Sequence, residues 1–455
     1  MNRKRMAVHA PAGERATLEG GTAPPAPVRS ATHPRTRRRK ATAVKLTHVS
    51  LTNWRNFGHI EFDLDSRLFV VGPNSSGKTN LLGALRFLGD IARRGLRAAN
   101  EDWGGPKHCF RTGSSEAGFS ITASSDEHTV EYALSLRAGT WLYDPYTHDG
   151  ATDGVVEFPV EFPVEFPVEF PAERIAVINQ ERLRIDQRTI PIDTTHITPQ
   201  SIEPVLSGED HSLLDPGSAA STGNVQSVFE QVRQCVSGVR YIHPNPKKMK
   251  ERLEGRFEPD DHGTGFFQLA GRFPATALDA VVARIRPIMA ATVPEVPNLS
   301  YQRVAGEEVV FYSDDPQSAS SCSTHDQFSE GTLRLLGILF DLATLPRSTT
   351  LVLLEEPETF LQPSVVRSLP SFLAEVAYNK QIQMVITTHS PELLSDETIG
   401  ADQVLLLRTT DKGTTGELLS ESEDPRIRAA VEAQFPPSEV VELTARHEIP
   451  SNAVM

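Results

Sequence analysis

An α/β fold, a mixed β-sheet flanked by helices with an α+β region inserted in its middle, is predicted by three features of the 455-residue sequence. A short apolar run at 68–71 enters a glycine-rich turn and is followed by a helical pattern over 80–93. Two more apolar runs, 350–354 and 383–387, flank an amphipathic pattern over 364–377, the order expected of parallel strands joined by a crossover helix. Residues 44–51 alternate apolar and polar side chains, as a half-buried strand does.

Taken in order, ordered structure is expected to begin at Val44, with a second strand at 60–64 after the polar turn around Asn56 and Gly58. The 80–93 helix carries Leu81, Leu82, Leu85, Leu88 and Ile91 on one side. Paired strands are expected within 118–136, resuming at 172–192. Between them Val-Glu-Phe-Pro repeats four times over 156–171, and proline at every fourth position excludes both a helix and a central strand. An extended loop grown by tandem duplication is the simpler reading than a docking strip, because long insertions cost little closure entropy. Residues 205–222 read as loop, and 224–237 and 277–290 as helices. The last third predicts a helix at 331–345, the two buried strands with their crossover helix, and a strand at 402–407. A polar tail with one helix near 425–434 follows, and no sustained heptads predict a long coiled coil.

Three widely spaced cysteines form no metal-binding pattern, which points to a reducing cytoplasm. No apolar run reaches the roughly 20 residues that span a bilayer, so a membrane partner is not expected. The net charge of −14 argues against wholesale coating by nucleic acid, yet residues 1–45 hold eleven Lys and Arg against two Glu. This basic arm either touches nucleic acid or an acidic partner, or is a disordered extension from a start set too far upstream; the second reading is simpler. Arg93, Arg94 and Arg97, and Lys247, Lys248, Lys250 and Arg252, are further basic clusters that fit either DNA phosphates or solvated helix faces.

The chemistry is carried by four motifs. Gly72-Pro73-Asn74-Ser75-Ser76-Gly77-Lys78-Thr79 satisfies G-x-x-x-x-G-K-S/T, in which backbone N–H groups wrap phosphates at a helix N-terminus. Gly72, Asn74, Ser75, Ser76, Gly77, Lys78, Thr79 and Asn80 are therefore the expected nucleotide-binding residues, with Lys78 on the terminal phosphates and the Thr79 hydroxyl on Mg²⁺. Leu351 to Glu358 delivers Glu355 and Glu356 to the carboxyl edge of a sheet, where ligands bind in open α/β folds. Glu355 would serve the metal and Glu356 the attacking water. His389 follows the 383–387 strand, placed to sense the γ-phosphate or the water. Ser329, Glu330 and Gly331 open an apolar helix, and with the other three motifs they suggest a signature loop reaching the γ-phosphate of a second subunit.

This order of motifs resembles the ABC-type ATPase heads of the RecF, structural-maintenance-of-chromosomes and overcoming-lysogenization-defect group. It is most similar to compact AAA family ATPases of the AAA-15 or AAA-21 type. Asn53-Trp54-Arg55-Asn56-Phe57 resembles the group's N-F-R-x-F entry, and Glu355-Glu356-Pro357-Glu358 with Leu361-Gln362-Pro363 its E-P-E-x-x-L-H-P. Glu355 stands where many such heads carry Asp, Gln362 replaces the usual His, and the signature is Ser-Glu-Gly rather than Ser-Gly-Gly. Gln180 is a weak candidate for the Q-loop.

The resemblance implies a P-loop ABC-type head that binds ATP and Mg²⁺, closes as a homodimer on ATP and drives a DNA-related or phage-defence partner. The alternative is a slow-hydrolysing switch that scaffolds a separate effector such as a nuclease, because the stretch after 407 is too short to hold one. The expected organisation is a disordered basic arm over 1–43, the two parts of the head over 44–94 and 326–410, the inserted region over 95–325 and the tail over 411–455.

Overall fold

The computed structural model describes residues 44–141, 173–186, 188–190, 214, 224–253, 260–304, 308–314, 322–411 and 413–445. The basic arm, the repeat at 156–171 and all of the 205–222 loop except Leu214 lie outside the described residues.

β1 (Lys45–Trp54) and β2 (Phe57–Asp63) form a hairpin, and β3 (Arg67–Val71) leads through the glycine-rich loop into α1 (Lys78–Arg94), α2 (Leu96–Trp103) and α3 (Pro106–Cys109). An antiparallel meander of β4 (Glu116–Ser124), β5 (Thr129–Trp141), β6 (Glu173–Ile185) and β7 (Arg188–Ile190) extends from β1. Then come α4 (Asn224–Ser237), β8 (Val239–Ile242), α5 (Pro246–Lys250), α6 (Phe266–Gly271) and α7 (Ala275–Thr292). β9 (Leu299–Val304), β10 (Glu308–Asp314) and β11 (Cys322–Thr324) make a small antiparallel sheet. The chain continues through α8 (Glu330–Thr344), β12 (Leu351–Glu355), α9 (Pro363–Lys380), β13 (Gln383–Thr387) and α10 (Pro391–Leu394). It closes with β14 (Val404–Thr410), β15 (Gly413–Leu418), α11 (Pro425–Glu432) and α12 (Pro437–Ala445).

Among the described residues the main sheet runs β7-β6-β5-β4-β1-β2-β15-β14-β3-β13-β12-β8. The block from β14 to β8 is parallel, and the block from β7 to β2 is antiparallel. The parallel strands are apolar throughout because both of their faces are covered. Leu68, Val70, Leu351, Leu353 and Val385 face one core with α1 and α4, whereas Phe69, Val71, Val352, Leu354, Met384 and Ile386 face the other with α7, α8 and α9. The period of two along each strand thus divides the molecule into two hydrophobic layers.

Gln383 joins the two blocks. Its side chain is buried, donates from Nε2 to the carbonyls of Leu46 and Asp65, both at 2.7 Å, and accepts at Oε1 from the Leu46 N–H at 2.8 Å. Buried backbone groups at the start of β1 are thereby satisfied by one amide.

Three features differ from the sequence reading. The inserted middle region adds strands to the main sheet itself, since β4–β7 lengthen one end of it and β8 forms its other edge. The tail is not wholly polar extension: β15 lies inside the sheet, hairpinned to β14 and meeting β2 at Thr414 and Phe57. Its sequence, Gly413-Thr-Thr-Gly-Glu-Leu418, carries almost no apolar signal, and the long-range contacts supply the strand. Helix α1 starts at Lys78 rather than 80, directly at the end of the loop.

Candidate active site

The loop between β3 and α1 is shaped by residues that tolerate a left-handed backbone. Gly77, at φ 100°, caps α1, and a Cβ there would lie 2.3 Å from Asn56 Nδ2, so no side chain fits. Asn56 sits in the β1–β2 turn and donates to the Ser76 carbonyl at 3.0 Å. Asn80 donates to Asn56 Oδ1 at 2.7 Å and accepts from Arg55 Nη1 at 3.0 Å, so its amide braces the turn from behind. Pro73, Asn74, Ser75 and Thr79 are exposed, while Ser76 and Lys78 are buried. Lys78 folds back on the loop, donating from Nζ to the carbonyls of Gly72 at 3.0 Å and Pro73 at 3.1 Å. Burial holds its ammonium below the ordinary lysine range, opposed by Glu356, Glu358 and Glu355.

The parallel strands bring the carboxylates to this loop. Glu355, the last residue of β12, is buried; Thr79 Oγ1 donates to its Oε1, and the Tyr241 phenol on β8 donates to its Oε2. Its carbonyl accepts from Arg334 Nη2 at 2.9 Å. Arg334 is itself buried on α8 and also donates to the carbonyls of Glu356 and Pro244, each at 3.0 Å. Glu356 follows with φ 41°, a left-handed backbone unusual for glutamate, and its N–H donates to the Thr387 carbonyl at 3.0 Å. Oε1 of Glu356 lies 3.3 Å from Nε2 of His389. Burial, reinforced by Lys78, lowers the His389 pKa against the pull of Glu356, which favours the neutral ring near pH 7. Glu358 accepts from Thr388 Oγ1 at 2.7 Å and from the His389 N–H at 2.9 Å, and burial raises its pKa. Two loops that are far apart in sequence are thus fastened together.

Ser329 caps α8, its hydroxyl accepting from the Thr332 N–H at 3.1 Å. Gly331 lies against the turn after β12, where an added Cβ would meet the Phe360 carbonyl at 2.2 Å. Phe360 is 58% exposed with φ 69°. Phe328, Ser329, Thr332, Phe360 and Gln362 help line a cavity of about 280 Å³ beside this turn. Among the described residues no hydrogen bond joins Ser329, Glu330 or Gly331 to the loop at 72–79.

Sequence reasoning named Gly72 to Thr79, Glu355, Glu356 and His389, which the fold brings together. It missed Asn56, Tyr241 and Arg334 as neighbours of these groups, and Glu358 was quoted only within a motif. For Tyr241 the sequence carries no signal, since β8 meets β12 only by long-range parallel pairing, in which Tyr241 stands opposite Leu353. Gln180 is exposed on β6, seven places from β3 in the sheet. The basic clusters carry acidic neighbours: Arg93 pairs with Asp90 at 2.6 Å, Arg94 with Asp102, Lys248 with Glu251 at 2.9 Å, and Arg252 with Glu308. No helix among the described residues is long and apolar enough to cross a membrane.

Residues 68–153 and 301–395 match the family model described as "AAA domain, putative AbiEii toxin, Type IV TA system". The DNA replication and repair protein RecF of Agrobacterium fabrum is 40% identical over 92 residues, 20% of this chain and 23% of that protein. Endonuclease GajA of Bacillus cereus is 43% identical over 47 residues, 10% of this chain and 8% of its own length. The matches therefore span less than a quarter of these relatives. The SMC head domain from Thermotoga maritima aligns with a TM-score of 0.40 at 10% identity, covering 82% of this chain and 98% of that one. The strand, phosphate loop, helix and paired glutamates thus stand in a chain that is similar to this AAA domain family over 68–153 and 301–395, and to RecF proteins over a shorter stretch.

Proposed function

We propose that this chain hydrolyses ATP with Mg²⁺, and that two heads pair on ATP to drive a separate partner. The observation that carries the reading is the contact of Thr79 Oγ1 with Glu355 Oε1 directly beside the phosphate loop. A hydroxyl and a carboxylate are hard oxygen donors, and Mg²⁺ is commonly held by one or two such protein groups together with substrate phosphates. Bound there, the ion would neutralise charge on the transferring phosphoryl group.

The remaining roles belong to the chain's own residues. Lys78 would exchange the Gly72 and Pro73 carbonyls for phosphate oxygens, and the N–H groups from Asn74 to Thr79 would wrap the anion. Glu356 would take the proton of the attacking water, and His389 would contact the γ-phosphate while orienting Glu356. Ser329, Glu330 and Gly331 would meet the γ-phosphate held by a second copy, which accords with their position at the start of α8, where Gly331 lies against the turn after β12, rather than at this chain's own loop. Asn80 serves by bracing the loop through Asn56. A DNA-related or phage-defence partner is the proposed context, from the kind of relatives that match.

The test is ATP turnover by wild type and Glu356→Gln, each with and without double-stranded DNA, with mass followed by light scattering. Loss of turnover in the variant together with an ATP-dependent dimer supports the reading. A wild type that binds ATP yet neither turns it over nor pairs removes the roles given to Glu356 and Ser329.

A further inference from the structure

Both oxygens of Glu355 are occupied by named partners, Oε1 by Thr79 and Oε2 by Tyr241. Tyr241 is fixed from several sides. Its strand pairs in parallel register with β12, Tyr241 opposite Leu353. The Arg86 guanidinium lies 5.1 Å from its ring centroid, and the His243 ring stacks at 6.1 Å with an interplanar angle of 24°. Arg86 stands on α1, the helix that begins at the phosphate loop and carries Thr79, and it is anchored by Asp261. The hydroxyl that meets Oε1 and the phenol that meets Oε2 are therefore held by one clamp of α1 against β8.

We propose that Tyr241 is a positioning residue that sets the choice of divalent ion: by occupying Oε2 it leaves Glu355 a single oxygen for the metal. The inference rests on the Mg²⁺ reading above and extends it. Ca²⁺ accepts bidentate carboxylates in flexible geometry, whereas Mg²⁺ demands compact octahedral coordination and takes carboxylates one oxygen at a time. A glutamate, longer than aspartate by one methylene, can turn both oxygens towards an ion unless the second is restrained. Tyr241 supplies that restraint, which favours Mg²⁺ over Ca²⁺.

The test measures the affinity of the full chain for a fluorescent ATP analogue in separate titrations of Mg²⁺ and Ca²⁺, for wild type and Tyr241→Phe, with melting temperature as the folding control. The Mg²⁺ concentration for half-maximal binding is expected to rise about tenfold in Tyr241→Phe, the usual scale for losing a partner of a metal ligand. The Ca²⁺ value is expected to stay level or fall. Equal shifts for both ions, or no shift, overturn the proposal, because a merely structural tyrosine would not discriminate between them. A wild type whose nucleotide affinity ignores both ions overturns the metal reading of Thr79 and Glu355, and the Tyr241 role falls with it. If Tyr241→Phe fails to fold, Arg86→Leu carries the test: it removes the guanidinium that packs on the Tyr241 ring and loosens the phenol, and the Mg²⁺ preference should weaken in the same direction.

Discussion

His389 Nε2 stands 3.3 Å from Glu356 Oε1, although the two residues follow the ends of different strands and are separated by helix α9. The parallel register of β12 and β13, with Glu355 opposite Thr387, brings the ends of these strands together, and Glu358 fastens the second loop by accepting from the His389 N–H.

The lowered pKa of His389 gives the site a pH signature. Burial and Lys78 keep the ring neutral to lower pH than an ordinary histidine, against the pull of Glu356. Its contribution to stability is present above the unfolded histidine pKa and is lost as pH falls through the folded one. Turnover is expected to hold to lower pH than an ordinary histidine would allow, and then to fall on the acid side. His389→Ala should lower kcat by about a hundredfold, because Glu356 then loses the group that orients it as a base, and should remove that acid limb from the pH–rate profile.

Gly331→Ala places a methyl group 2.2 Å from the Phe360 carbonyl, so helix α8 or the turn after β12 must shift. A loss of about 1–3 kcal/mol is expected in urea denaturation, as for other overpacked sites. Pairing of heads on ATP should be lost with it, read as mass by light scattering.

Arg334→Met removes a buried guanidinium that serves the carbonyls of Pro244, Glu355 and Glu356. Leaving these acceptors without their donor should cost about 3 kcal/mol or more, measured as a lowered melting temperature. Turnover should fall as well, because the backbone that aims both glutamates is no longer held.

Gln383→Leu keeps the volume and removes every hydrogen bond between the amide and Leu46 or Asp65. Unsatisfied buried backbone groups should destabilise the fold by about 2–3 kcal/mol, and hydrogen exchange should quicken first at β1.

The sequence by itself determined the parts whose chemistry is local. Gly72 to Thr79 could be read because a phosphate loop needs its glycines, lysine and threonine at fixed spacing, and β3, β12 and β13 because strands covered on both faces must be apolar throughout. Glu355, Glu356 and His389 were legible as residues delivered by such strands to one edge. Only the tertiary structure decided what is paired at long range: β15 entering the sheet beside β2, β8 closing its far edge, and Tyr241, Arg334 and Asn56 reaching the site. Those residues obey no local spacing rule. The contacts that fix them are made between segments as far apart as Asn56 and Thr414, and a pattern read along the chain does not encode which distant polar group will meet another once the cores close.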